Sequence, residues 1–599
     1  MAYILGINAY HGDSSACLVR DGHLLAAAEE ERFRRIKHWA GFPTESIKYC
    51  LREAGICLSD VDDVAINRDP QAHKLRKIAF TLRYRANPAY VLGRLKNARK
   101  WSGVREELSR AFPGETIGAV HHIEHHRAHL ASAFFVSPYR EALAVAVDGS
   151  GDFTTTSWGM GMGTDLSVAD RIFFPHSLGI FYEGLTQHLG FRNYGDEYKV
   201  MGLAPYGEPR FLDEMRKIVL LQKDGTFRLD LSYFQHHTGL SQYQWNNESP
   251  SSSSILSPKM DELLGKARQP KDALEQRHKD LARSIQAMYE EAFFHLLTHL
   301  HARYPSDNLV LAGGCAYNSV ANGKIHGRSP FKNSYIQSAS GDAGGAIGAA
   351  FALWFEKGGR VRDCEMDHAY LGPSFDAAIV EKVLANARDE IQGQDCRVTR
   401  LSDEGALCRQ VASAIADGKV IGWFQGRMEW GPRALGNRSI LGDPRRADMK
   451  DILNLKIKRR ESFRPFAPSI LREAVPDWFQ DDDDVPFMMK VFPIREECRA
   501  RIPAVTHVDG SGRLQTVTRS TNPRYYRLIE EFGKITGIPI VLNTSFNENE
   551  PVVCRPEEAL ACFLRTRMDM LVMGDHVVER TDAPAVRTAS EQFAAASTP

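Results

Sequence analysis

His125 and His129 stand four residues apart in the stretch IEHHRAHLASAFF, Ile123 to Phe135. Apolar and small residues run from Ala128 onward without Gly or Pro, which predicts a helix. The spacing then sets both imidazoles on one helical face, one turn apart. Two neutral imidazoles are half of a divalent-metal site, and such a site still needs carboxylates from elsewhere. Taken alone, the pair reads more simply as the polar start of a helix that also carries His121, His122 and His126. Two carboxylates tip the balance. Asp148 closes the apolar strand EALAVAV (Glu141 to Val147) and opens the turn Asp148-Gly149-Ser150-Gly151-Asp152, a position from which it can reach a metal or a phosphate. Asp342 lies in the glycine turn of SASGDAGGAIGAAFALW, just ahead of a small-residue helix. A His₂Asp₂ set without thiolate suits Fe(II), Mn(II) or Zn(II), and the residues do not choose among them.

The elements that must position these groups follow from the chain order. Tyr3 to Ile7 predicts a buried strand, Ala16 to Arg20 a second and His23 to Ala28 a third, with Asp21-Gly22 as the hairpin turn between the last two. The first turn holds His11 and Asp13, where functional groups collect on such sheets; a solvated turn residue is the equal alternative for His11. The run EEERFRRIKHWAGFP reads as a solvated helix face. Lys74 to Arg110 is basic with Phe80, Tyr84, Tyr90 and Trp101 interleaved, which is expected as a solvated amphipathic helix pair ahead of a nucleic-acid surface. Further on, Asn308 to Leu311 is a strand running into Ala312-Gly313-Gly314-Cys315, and Asn318 starts a helix. Strand, glycine turn and helix form an anion-binding arrangement, because free N–H groups at the helix start face the ligand. Phe234 to Lys271, rich in Ser, Gln and Asn, is a loop by composition, and a surface insertion is the simpler reading than a lid.

The second half carries cations behind buried strands. Lys419 to Phe424 is a strand leading into GRMEWGPRALGNRSILGDPR, with Arg433 after Gly431-Pro432. The segment ILNLKIKRRESFRPFAPSI, read as strand-like, holds Lys458, Arg460 and Arg464. Cations there are costly unless they face water or anions, and Arg with Lys is a common phosphate-holding pair. Surface ion pairs with Asp481 to Asp484 are the plainer alternative. Pro539 to Leu542 is a strand into Asn543-Thr544-Ser545-Phe546-Asn547, short donors able to orient a nucleotide.

Composition bounds the rest. At 599 residues the chain is expected to form two large domains. Its 43% hydrophobic and 25% charged fractions are those of a globular protein, and 75 basic residues balance 75 acidic ones, so no global field favours nucleic acid or an anionic membrane. The ten cysteines form no CxxC pair, which speaks for a reducing, cytoplasmic setting and against zinc ribbons. No apolar run approaches a membrane span, and the opening residues lack the basic segment of a secretory leader.

Against that background the stretches GINAYHGDSSACLV, EEERFRRIKHWAGFP, EHHRAHLASAFF, VDGSGD, DEYKVMGLAPYG, LAGGCAYNS, SGDAGGAIGAA, GRMEWGPRALGNRSIL, KRRESFRPFAP, PFMMKVF and LNTSFN occur in order over nearly the whole chain. In this the chain resembles the O-carbamoyltransferases of the nodulation-factor and antibiotic-tailoring type, the NodU/TobZ family. The resemblance implies an α/β protein of two domains. Residues 1–365 would be an actin-like (sugar-kinase-like) ATPase fold that transfers carbamoyl, residues 366–580 a YrdC-like α/β twisted-sheet domain that makes carbamoyl-adenylate, and residues 581–599 a disordered tail. It implies ATP with Mg(II), carbamoyl phosphate as co-substrate, and one divalent metal, expected as Fe(II). The acceptor would be a hydroxyl of a small molecule or saccharide, without nucleic acid or membrane partner; the acceptor's identity and the oligomeric state stay open, a homodimer being one option. Position by position, His125, His129, Asp148 and Asp342 fall on the metal ligands and His11 on the transfer-site histidine. Gly313, Gly314 and Asn318 fall on the nucleotide loop. Arg433, Lys458, Arg460, Met488, Ser545 and Asn547 fall on the adenylation site, with Asn543 beside them; Lys458, Arg460 and Ser545 are the expected catalytic groups there. The turn after His11 reads HGDSSA where many members have HDSAA or HDASAA, which leaves the carboxylate next to His11 open. The alternatives are a threonylcarbamoyl-type transferase acting on tRNA, a hydrogenase-maturation carbamoyltransferase, for which the CxxC pairs are missing, and a non-catalytic actin-like nucleotide-binding regulator.

Overall fold

The structure, a computed structural model, describes residues 1–84, 103–238, 243–244, 248–458, 461 and 463–581. They divide into two compact units, Met1–Met366 and a second beginning at Asp367. Tyr90, Trp101, Arg460 and the expected tail beyond Thr581 lie outside the described residues.

The first unit repeats one sheet pattern. Its first sheet comprises β1 (Tyr3–Asn8), β2 (Ser15–Arg20), β3 (His23–Glu29), β4 (Asp63–Ile66) and β5 (Ala119–His122), in the order β3-β2-β1-β4-β5. The second comprises β6 (Glu141–Gly151), β7 (Thr154–Met162), β8 (Asp165–Leu166), β9 (Asp170–Phe173), β10 (Asn308–Ala312) and β11 (Asn333–Ile336). There β6 is flanked by β7 on one side and by β10 then β11 on the other, and β9 pairs with β7. In both sheets the first strand is antiparallel to the second, and on its other side lie two parallel strands in succession, β4 then β5 in the first sheet and β10 then β11 in the second. β6 and β10 read as unbroken apolar runs because both are interior strands of the sheet and buried.

A helix follows the last strand of each sheet: α1 (His125–Phe134) after β5, and, within the turn-rich stretch after β11, α3 (Gly345–Glu356). The 28-residue α2 (Gln276–Arg303) lies between them in sequence. Each of α1 and α3 packs on the other half's sheet: α3 on β1, β2 and β4, and α1 on β6, β7 and β10. They also pack on each other. A Cβ on Gly348 would overlap the carbonyl oxygen of Ala128, so only glycine allows this approach. Every residue of α1 except Arg127 is buried, which is why its histidines must find partners inside the protein.

The second unit is built on an eight-stranded mixed sheet. Its strands are β12 (Cys396–Arg400), β13 (Ile421–Phe424), β14 (Arg438–Gly442), β15 (Ala467–Leu471), β16 (Gln515–Val517), β17 (Ile540–Ser545), β18 (Met570–Met573) and β19 (His576–Arg580), in the order β12-β19-β18-β13-β14-β17-β15-β16. Alternate residues of β13 face opposite cores. Ile421 and Trp423 join α5 (Glu404–Ala416) and α6 (Pro523–Thr536) on one face. Phe424 joins α4 (Ala377–Asn386) and α7 (Pro556–Arg565) on the other.

Two expectations are corrected here. The segment before Lys458 is helical, Met449–Leu453 continuing into the wider π-turn Asn454–Lys458, and only Ala467–Leu471 is strand. The run EEERFRRIKHWAGFP is no solvated face: Glu30 and Arg32 are buried. Glu30 accepts the backbone N–H groups of Glu45 and Ser46 and the Arg34 side chain, while Arg32 pairs with Glu31. The basic stretch does begin with an amphipathic helix, Lys74–Tyr84, whose Phe80 is buried while Leu75, Ile78 and Leu82 are exposed.

Candidate functional site

The duplicated pattern brings four element ends to one place. His11 is in the turn after β1, and Asp148 is near the end of its topological counterpart β6. His125 and His129 open α1, and Asp342 stands in the turn before the counterpart helix α3. One ligand atom from each of His125, His129, Asp148 and Asp342 lies within 4.8 Å of the other three, and all four residues are buried. The Nε2 atoms of the two imidazoles are 2.9 Å apart. Asp342 Oδ1 is 3.3 and 3.4 Å from them, and Asp148 Oδ2 3.5 and 3.9 Å.

Each carboxylate has one oxygen held and one turned inward. Asp148 Oδ1 accepts the Gly314 N–H at 2.9 Å. Asp342 Oδ2 pairs with Nδ1 of His11, while its Oδ1 is buried without a hydrogen-bond donor. Two oxygens and two imidazole nitrogens converging in a buried place, one oxygen lacking any donor, fit a divalent cation with N/O preference. Burial works against both carboxylates being charged. His11, His125 and His129 nevertheless hold Asp342 well below the usual carboxylate range, and Asp148 is lowered by the two α1 histidines against burial and the Asp342 charge. Burial and Arg68 push His125 down, but the carboxylates of Asp148 and Asp342 facing it outweigh them and raise it to about 9. Burial lowers His11 despite Asp342 beside it, with Arg68 adding to the effect. His11 is thereby favoured as the neutral, proton-accepting imidazole.

The other histidines of the cluster are used elsewhere. His121 pairs with Asp63 at 2.7 Å, His122 donates to the Arg68 carbonyl, and His126 meets Ser157 Oγ at 3.0 Å. The turn around His11 is gripped from both sides. Asn8 Nδ2 donates to the Gly12 and Asp13 carbonyls, and His38 Nδ1 meets Asp13 Oδ1 at 2.7 Å. Gly41 and Trp39 carbonyls accept from Tyr10 N and Ser14 N. Gly313, at φ +85°, is pressed on the Val147 carbonyl, so this glycine pair acts by seating Asp148. Asn318 exchanges hydrogen bonds with Gln286 of α2 and caps the turn Ser319–Asn322.

In the second unit, Lys458, Ser545 and Asn547 come together. Lys458 Nζ donates to the Ser545 carbonyl at 2.6 Å, the Asn547 carbonyl at 2.7 Å and Asn547 Oδ1 at 2.6 Å, and Ser545 Oγ donates to Asn547 Oδ1. Asp482 to Asp484 pair with Arg472 and Lys490 instead. Asn543 is buried at β17, its amide donating to Ala434 O, Ser469 Oγ and Gln515 Oε1. Met488 is buried in a left-handed backbone conformation, φ +60°, which costs a non-glycine residue about 1–3 kcal/mol and concentrates at functional sites. Arg433 lies half-buried on the loop between β13 and β14.

Several residues outside the sequence reading shape these places. Glu429 Oε1 accepts the N–H groups of Leu435, Asn437 and Arg438 and so folds the Arg433 loop. Arg68 follows β4 and adjoins the His11 and His125 charges. Arg68 stands two residues past the buried strand β4, the signal that marked Asp148, whereas Glu429 lies farther along the loop after β13.

Comparison with known proteins gives the following. Residues 3–351 match the family model described as Carbamoyltransferase N-terminus, and residues 412–580 match Carbamoyltransferase C-terminus. The uncharacterized protein sll1178 of Synechocystis is 42% identical over 98% of both chains. Nodulation protein NolNO of Sinorhizobium fredii is 37% identical over 96% of this chain and 80% of its own. Nodulation protein U of the same organism is 28% identical over 91% and 93%.

Proposed function

The chain belongs to the carbamoyltransferase family, and on that premise we propose that it is an ATP-dependent O-carbamoyltransferase working in two half-reactions. In the first, on the second unit's YrdC-like sheet, carbamoyl phosphate gives up phosphate and ATP gives up pyrophosphate, with water balancing the step, to leave carbamoyl-adenylate. In the second, a hydroxyl of a small-molecule or saccharide acceptor takes the carbamoyl group in the first unit. The repeated sheet order supports an actin-like reading of that unit.

The observation that carries the reading is the pairing of His11 with Asp342 at the edge of the His₂Asp₂ cluster. Asp342 orients the imidazole through Nδ1, so Nε2 is the atom that takes the acceptor's proton. The acceptor oxygen bonds to the carbamoyl carbon, the bond from that carbon to the adenylate oxygen breaks, and AMP leaves. His125, His129, Asp148 and Asp342 would hold a divalent metal, taken as Fe(II), which as a Lewis acid would offset charge on the leaving phosphate. Lys458, with Arg433 and Arg460, would meet the phosphates of the first half-reaction.

The test is pyrophosphate release from ATP with carbamoyl phosphate present, with and without tRNA, followed by mass spectrometry of candidate acceptors for a carbamoyl mass gain. Release that depends on carbamoyl phosphate alone supports the reading. A strict need for tRNA would transfer the protein to the threonylcarbamoyl class.

A further inference from the structure

Asp152 ends the turn that begins with Asp148, and its backbone is left-handed at φ +47°, as is that of Phe153 at +75°. The β6–β7 pairing slips between Val147 and Gly151, so the chain leaves its regular register just here. Two successive non-glycine residues in this region cost about 1–3 kcal/mol each and persist only where the surroundings impose them. The imposing contacts lead to the metal cluster. Asp152 Oδ2 accepts the N–H of His125 at 3.0 Å and that of Asp69 at 2.8 Å. Its Oδ1 faces the Arg68 guanidinium at 3.7 Å, with both side chains buried. Gly151 lies flat against the His125 ring, where a Cβ would overlap the imidazole.

His125 is thus gripped at its ring by Gly151 and at its backbone by Asp152. Glu124 takes the next two N–H groups of α1, so without Asp152 the first would be left in a buried place. We infer that Asp152 is a positioning residue for the metal centre: it anchors the start of α1 to the segment after β4 and so sets where the His125 imidazole meets Asp148 and Asp342. The inference rests on the metal-binding reading of the His₂Asp₂ cluster. Residues that orient a metal ligand in this way are typically worth about 10–100-fold in metal affinity.

The test uses full-length protein stripped of metal and titrated with Co(II) against a competing chelator, with the visible absorption of the bound ion recorded. Wild type, His125→Ala, Asp152→Gly and Asp152→Asn are compared. Glycine relieves the left-handed backbone while removing the side chain. Asparagine tolerates the same backbone and keeps an acceptor for the His125 N–H, but loses the charge opposite Arg68. The expected result is Co(II) affinity lowered about 10–100-fold in Asp152→Gly with a shifted absorption band, and partly restored in Asp152→Asn. Wild-type affinity and band in Asp152→Gly would overturn the inference while leaving the metal site intact. Equal binding by wild type and His125→Ala would instead remove the metal reading itself. Should the glycine variant not fold, the asparagine variant decides, and wild-type affinity and band there would equally overturn the inference.

Discussion

The two units treat their buried charges in opposite ways. In the first, two carboxylates each keep one oxygen pinned and turn the other toward two imidazoles, and Asp342 Oδ1 meets no donor. In the second, Lys458 spends three short hydrogen bonds on the carbonyls of Ser545 and Asn547 and on Asn547 Oδ1. At the first site the four side chains already converge on one place. At the second, a phosphate would have to draw Lys458 from internal oxygens, so binding there involves exchange of hydrogen bonds. A prearranged site and an interlocked one respond differently to mutation, and that difference can be tested.

The largest effect is expected from Asp342→Ala, which removes a proposed metal ligand and the partner of His11 together. Turnover should fall about 10³-fold or more, with metal content falling in parallel by elemental analysis. Full metal with lost turnover would reduce Asp342 to the orienting role.

Lys458→Ala should lower pyrophosphate release about 10²–10³-fold. It also leaves buried acceptors at Ser545 and Asn547, so thermal stability is measured alongside. Synthetic carbamoyl-adenylate should restore acceptor modification in Lys458→Ala but not in His11→Asn. The reverse pattern would exchange the roles of the units and end the comparison.

Gly348→Ala probes how closely α1 and α3 must approach. Overlap with the Ala128 carbonyl should cost about 1–3 kcal/mol in denaturant unfolding and weaken metal binding as Asp342 is moved from the α1 histidines. Unchanged stability would mean that the helices separate freely.

The smallest effect is one of pH. Burial lowers His38, but Asp13 and Glu31 outweigh it and raise it to about 9. Its folded value lies above its unfolded one, so its stabilising contribution is full below about pH 6.5 and is lost as pH rises through about 9. Wild type should lose on the order of 1 kcal/mol over that window relative to His38→Gln, given the partial exposure of the pair. Parallel pH profiles for the two proteins would mean that His38 does not brace the His11 turn.

Much of this architecture was legible in the chain. The strands around His11, Asp148 and Gly313 announce themselves by apolar runs that end in Asn, Asp or glycine, and the His125–His129 spacing survives folding because it is local. What stayed hidden depends on distant partners. Glu30 and Arg32 look like solvated charges until Ser46, Glu45 and Glu31 supply their bonds. The helical approach to Lys458 was masked by the prolines that follow it, Pro465 and Pro468, which punctuate the next strand instead. Asp152 carries no spacing signal, because its role is set by a backbone kink.

The sheet repeat bears on where the reacting centre could survive a cut chain. The first half contributes only nitrogen ligands, from α1, and the second only oxygen ligands, from the β6 end and the turn before α3. Each terminal helix, moreover, is packed on the opposite sheet. A peptide ending shortly after Phe135 would therefore carry imidazoles without carboxylates, and its complement carboxylates without imidazoles. Only their reassociation, with both helices exchanged, would reconstitute a complete coordination set.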